Sequence, residues 1–275
     1  MVFLRHSVLL KTGAFASLFV LAATVAITSK ILSAFRMLGE SDDRRPALAF
    51  FASVFKQKDS FVPYYSLLAA LLFACVALFC IIYFFENTQS MEIRCFEIFA
   101  FSFTFEVLRI VSPAGAAFNF LPFYMMAAER ILVFIRFAGI TALLAAGLFA
   151  SGFKTQQKNS LLLSFSLASL VIAVQIPIDI FEFDTALNPI IGFASMTKTI
   201  EFCAAVLAAG SFLAGAYSRG TKEFIPAGFG ILLLAAGKII LQNADALVLF
   251  IFAPVMLLGG MFLFYSNMRK VYMWL

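Results

Sequence analysis

The chain has 275 residues, 63% of them hydrophobic and only 13% charged, with 36 phenylalanines, a net charge of +5 and a mean hydropathy of +1.00. Soluble domains run nearer half apolar and a quarter charged, so these proportions exclude a soluble enzyme, a disordered chain and a secreted disulfide scaffold. They call for an all-α fold, a polytopic transmembrane helix bundle in which about eight spans of ~20 apolar residues leave only short loops.

Residues 1–12 are short and basic, with Arg5, His6 and Lys11. The apolar run 13–35 is longer than a signal-peptide core, and the Ala-x-Ala at Ala47 and Ala49 lies too far downstream to be its cleavage site, so the first span is expected to be retained. Positions 36–63 form the long loop, expected on the extracytoplasmic side. It carries SDDRR from Ser41, and Phe50, Phe51 and Phe55 would suit either a short interfacial helix or a plain connection. Seven more spans are expected at about 64–85, 93–112, 129–151, 160–181, 198–217, 224–242 and 246–267. Between the third and fourth, 113–128 carries Pro113, Gly115 and Pro122 and reads as an interfacial segment. Tyr265, Tyr272 and Trp274 at the end of the chain fit an aromatic belt. The whole of 1–275 reads as one integral-membrane domain with no soluble effector domain.

Several chemistries find no support. Cys75, Cys80, Cys95 and Cys203 show no CxxC spacing, so neither a zinc site nor a redox pair is expected. The single histidine is His6, which leaves no imidazole for a catalytic base or metal ligand within the spans. No Gly-rich phosphate loop is present, and most of the basic residues lie in loops, where they meet lipid headgroups, and not in a nucleic-acid-binding stripe. No cofactor and no catalytic residue are expected. An enzyme acting on lipid-linked substrates would have only carboxylates to work with.

Loop charges set the orientation. With the N-terminus in the cytoplasm, nine Lys and Arg fall inside and seven outside, five of the seven in the first loop. Both termini are therefore expected to face the cytoplasm, in the cell (inner) membrane. Burying a charge at mid-bilayer costs at least ~2.5–3.5 kcal/mol, so charges within spans face the bundle and pair. In this orientation Glu106, Arg109, Arg136, Gln175, Asp179, Glu201 and Lys238 come from five spans yet fall in one half of the membrane, the outer one. Gln242 shares that level, while Glu129, Glu182 and Lys198 read as interfacial or loop-end charges. The cytoplasmic halves are free of such groups, as in SLLLSFSLASLV. The seven residues are the candidate lining of an outward-facing polar pocket for a charged or zwitterionic ligand or a proton relay, above a dry inner half.

Some finer expectations follow. Glu106 with Arg109, and Asp179 with Glu182, are spaced i,i+3 and would meet on a helix face. Gln175 and Pro177 mark a break or kink in the fifth span. Lys238, deep in a late span, could carry a retinal Schiff base, but no aromatic cage or counter-ion pattern accompanies it, so pairing with Asp179, Glu201 or Glu106 is expected. The small residues of the sixth span, such as Ala208 and Gly215, allow close helix approach or a homo-oligomer. The charge-free last span would face lipid or a partner.

Three functions fit these features: a sensor-like or regulatory module acting through a partner membrane or signalling protein, a small secondary transporter or transporter subunit using the intramembrane carboxylates, and a structural or assembly subunit whose charges join helices. In all three the lipid bilayer is the principal partner.

Overall fold

The computed structural model describes residues 10–26, 62–85, 90–111, 121–153, 158–184, 186, 188–244 and 246–273. The expectations for most of the first loop, His6, residues 113–120 and Trp274 lie outside these residues; residues 122–128, expected in an interfacial segment, are instead the first turns of the helix Pro122–Ala150, because Pro122 suits a first helical position and the apolar run continues unbroken. The chain is an all-α bundle. In order, α1 is Leu10–Ala26, α2 Val62–Phe85 and α3 Met91–Ser102, which runs into a 3₁₀ helix, Phe103–Ile110. Then come α4 (Pro122–Ala150), α5 (Lys158–Gln175), a hairpin of β1 (Ile178–Phe183) and β2 (Pro189–Ile191), α6 (Ala194–Arg219), α7 (Phe224–Gln242) and α8 (Leu247–Met273).

Five of these helices, α2, α4, α6, α7 and α8, are long and apolar enough to cross a membrane, fewer than the eight uninterrupted spans the composition suggests. The other three differ for identifiable reasons. Only 13–26 of the first expected span is described, and it is helical throughout. The third expected span changes helix type after Ser102, but its twelve α and eight 3₁₀ residues still rise about 34 Å, against a hydrocarbon core of ~30 Å. The fifth, expected over 160–181, stops as a helix at Gln175.

That stop has two causes. Pro177 cannot continue an α-helix and disfavours helical backbone before it. Arg130 of α4 then covers the carbonyls the helix end leaves open: its Nη1 donates to Ala173 (2.5 Å), Val174 (2.8 Å) and Ile176 (2.6 Å). The break expected from Gln175 and Pro177 is thus the end of the helix. Asp179 and Glu182 lie in strand β1, so their spacing places them on no helix face.

Neighbouring elements run α2, α3, α4, α6, α7, α8 and back to α2, a closed circuit, with α5 packed on the outside of α4. Small residues set the closest crossings. A Cβ on Gly147 of α4 would meet the Ala208 carbonyl at 2.6 Å, one on Gly215 of α6 the Ala150 carbonyl at 2.5 Å, and one on Gly230 of α7 the Gly260 carbonyl at 2.8 Å. At such distances only glycine lets the backbones touch. The middle of the bundle is aromatic. Phe96 stacks on Phe264 with centroids 4.9 Å apart, and Phe99 and Phe73 meet Phe103 edge-on at 5.2 and 4.9 Å. Tyr265 belongs to this core and not to an interfacial belt: it is buried and donates its hydroxyl to the Ala77 carbonyl (2.9 Å). On α8, Val248, Phe252, Val255 and Phe262 are exposed on the side away from α7.

Candidate functional site

The site begins with the 3₁₀ segment. Runs of this helix beyond three or four residues are uncommon, and this one has eight. With three residues per turn, positions i, i+3 and i+6 eclipse one another, so Phe103, Glu106 and Arg109 form one row, and all three are buried. In an α-helix three residues advance only about 300°, and the row would drift by about 120° over the same six residues. The 3₁₀ winding therefore aims both charges of this segment at the bundle interior.

Glu106 is the hub. Arg136 of α4 grips its carboxylate with a two-pronged fork, Nε to Oε1 at 3.0 Å and Nη2 to Oε2 at 2.6 Å. Gln242 at the end of α7 donates Nε2 to Oε1 at 2.7 Å, and Arg109 brings its Nη1 to 3.8 Å from Oε2. Such bidentate, charge-assisted bonding is the geometry in which a buried carboxylate is tolerated. The network continues into the hairpin turn. Arg136 Nη2 also donates to Asn188 Oδ1 (2.9 Å), Asn188 Nδ2 donates to the Gln242 carbonyl (2.8 Å), and Arg109 Nη2 donates to the Ala186 carbonyl. Three buried side chains thus fasten the hairpin to the end of the bundle.

Lys238 sits one turn before Gln242, buried, with no carboxylate within 4.0 Å among the described residues, so the expected ion pair is not formed. Its Nζ donates instead to the Arg136 carbonyl at 2.6 Å and lies 5.7 Å from the Phe99 ring centroid, a cation–π distance. Space for the ammonium group comes from Gly139, where a Cβ would stand 3.0 Å from Nζ and 2.5 Å from Ser102 Oγ.

Beside this network is a cavity of about 230 Å³. Arg136, Gln242 and Asn188 form its buried wall, and Glu201, Thr197 and exposed Lys198 of α6 also line it. Of the seven candidate residues, the structure joins Glu106, Arg109, Arg136 and Lys238 in or against one network and places Glu201 in the lining of the same cavity as Arg136. Gln175 and Asp179 are exposed, and neither lines this cavity. Asn188 escapes sequence reasoning because nothing in a turn residue announces that the turn folds back over the bundle. Gln242 shares the right level and was signalled by that alone. Glu129, expected near an interface, is completely buried in α4.

The opposite end of the bundle has a smaller cluster. Arg219 at the end of α6 lies 3.9 Å from Glu92 at the start of α3 and donates to the Phe149 carbonyl (2.6 Å) at the C-terminal turn of α4, a standard place for a cation. Between the two ends lie the stacked phenylalanines. No family model, curated protein or solved structure matches this chain.

Proposed function

We propose that the chain is a multi-pass protein of the cell (inner) membrane, with both termini cytoplasmic, that binds a small polar solute in a pocket open to the extracytoplasmic side. It acts as a sensor-like or regulatory module through a partner membrane protein. One observation carries this reading: the cavity has a polar, charged wall on Arg136 and Gln242, and behind that wall lie Lys238, Phe99 and Phe103, all buried. A solute admitted to such a cavity meets binding groups first and tightly packed aromatic rings next, which suits recognition better than passage. Its volume is below the ~300–1,000 Å³ of pockets for drug-sized ligands, so the solute is small. The exposed apolar side of α8 is where a partner helix would pack.

A transporter remains the second reading, favoured by the 3₁₀ segment. Rewinding Phe103–Ile110 into an α-helix would turn Glu106 and Arg109 relative to Phe103 and open the network. The two readings separate in one experiment. Protein in nanodiscs is screened by thermal shift against small polar metabolites, and each stabilising solute is then offered as a radiolabel to proteoliposomes. Binding to the protein without filling of the lumen supports the sensor, and filling of the lumen replaces it with the transporter. Absence of any stabilising solute contradicts both.

A further inference from the structure

The pocket's unused hydrogen-bonding capacity names its ligand class, an inference that rests on the binding reading above. Arg136 spends Nε and Nη2 on Glu106 and Asn188, and its Nη1 has no acceptor among the described residues. The side chain is only 9% exposed, yet Nη1 is not among the fully enclosed polar atoms, and Arg136 lines the cavity. A guanidinium nitrogen therefore looks into a small cavity from an otherwise satisfied, rigidly held arginine. Exposed Lys198 adds a second cation to the lining and exposed Asp184 a second carboxylate. The acceptors are equally specific. Gln242 is oriented by the bond its Nε2 gives Glu106, which leaves its amide oxygen with no donor among the described residues. Glu201 lines the cavity and makes no hydrogen bond or ion pair within 4.0 Å among the described residues.

A site lined by a cationic donor with no acceptor and by a carboxylate with no hydrogen bond is matched by a molecule that carries both opposite charges. We propose that the cavity takes a small zwitterion bearing a carboxylate and an amine, a compound of the α-amino-acid class, with the carboxylate on Arg136 Nη1 and the amine on Glu201 and the Gln242 amide oxygen. An anion alone would leave Glu201 unpaired in a confined space, and a cation alone would face Arg136; each charge thus rejects the half-matched ligand.

The test is equilibrium binding to the full chain in nanodiscs. The panel is the radiolabelled α-amino acids, then, for the best binder, its analogues lacking the amine or lacking the carboxylate. The expected result is saturable binding of at least one amino acid, with both analogues weaker by about tenfold or more, one charge-assisted hydrogen bond's worth. Glu201→Gln should remove that preference over the amine-free analogue with a smaller loss of melting temperature than Glu106→Gln, since Glu201 makes no hydrogen bond or ion pair within 4.0 Å among the described residues. Equal binding of the amine-free analogue, or no change on Glu201→Gln, overturns the ligand class while leaving a solute pocket standing. No amino acid binding overturns the class too, and the pocket is then judged separately: a Thr197→Cys thiol that a small impermeant maleimide cannot reach removes the reading on which the class rests.

Discussion

Replacing Glu106 by Gln keeps the length of the side chain and one oxygen, and removes the charge on which two guanidinium groups converge. The wild-type carboxylate accepts 3.0 and 2.6 Å bonds from Arg136 and a 2.7 Å bond from Gln242, with Arg109 at 3.8 Å. Breaking a buried pair from one side costs ~3–5 kcal/mol, because the surviving charge stays buried without its partner. Glu106→Gln and Arg136→Gln should each lower stability by that amount. The double variant leaves two neutral amides that can bond to each other, so its loss should fall short of the sum by about 2 kcal/mol or more. The assay is reversible denaturation in mixed detergent micelles, followed by circular dichroism. Single losses below about 1 kcal/mol, or a double loss equal to the sum within ~0.5 kcal/mol, would refute the hub.

Three other perturbations probe the surroundings. Gly147→Val forces apart α4 and α6, where even a Cβ would meet the Ala208 carbonyl at 2.6 Å; a loss of ~3 kcal/mol or more is expected on the same denaturation assay, against little change for Gly210→Ala, which has open space around it. Gly139→Ala places a methyl 2.5 Å from Ser102 Oγ, and adding Ser102→Ala should recover part of the lost melting temperature. Asn188→Ala removes two bonds that tie the hairpin to Arg136 and Gln242, so backbone amides of the hairpin should exchange hydrogen faster by one to two orders of magnitude (about 1–3 kcal/mol) while α4 and α7 amides hardly change.

The bundle was largely legible because lipid-scale apolar runs leave few alternatives: α2, α4, α6, α7 and α8 follow the expected spans closely at most ends. Boundaries failed where one residue outweighed hydropathy. Ile178 and Ile180 are as apolar as anything in α5, but Pro177 and the Arg130 cap end the helix before them. The 3₁₀ winding of Phe103–Ile110 has no local signature, since its residues suit an α-helix as well; the pull of Glu106 towards Arg136 is a tertiary effect. The same holds for the site. A shared level in the membrane pointed to Glu106, Arg109, Arg136, Glu201 and Lys238, because depth follows from sequence position along a helix. Which groups touch does not follow: Lys238 bonds a backbone carbonyl through a gap opened by Gly139, and Asn188 reaches the network from a turn that a purely helical reading leaves out.

The proposal that the molecule is polar and open at one end and packed beneath that end is tested most directly by thiol accessibility. In a variant freed of Cys75, Cys80, Cys95 and Cys203, single cysteines are placed at Thr197 and Asn243 in the cavity and at Leu143 in the packed middle. A small impermeant maleimide is then applied to right-side-out or inverted membranes. Labelling of the Thr197 and Asn243 variants from the extracytoplasmic face alone, with the Leu143 variant silent from both faces, is the predicted result. Labelling of the cavity positions from the cytoplasmic face, or of the Leu143 variant from either, would contradict it.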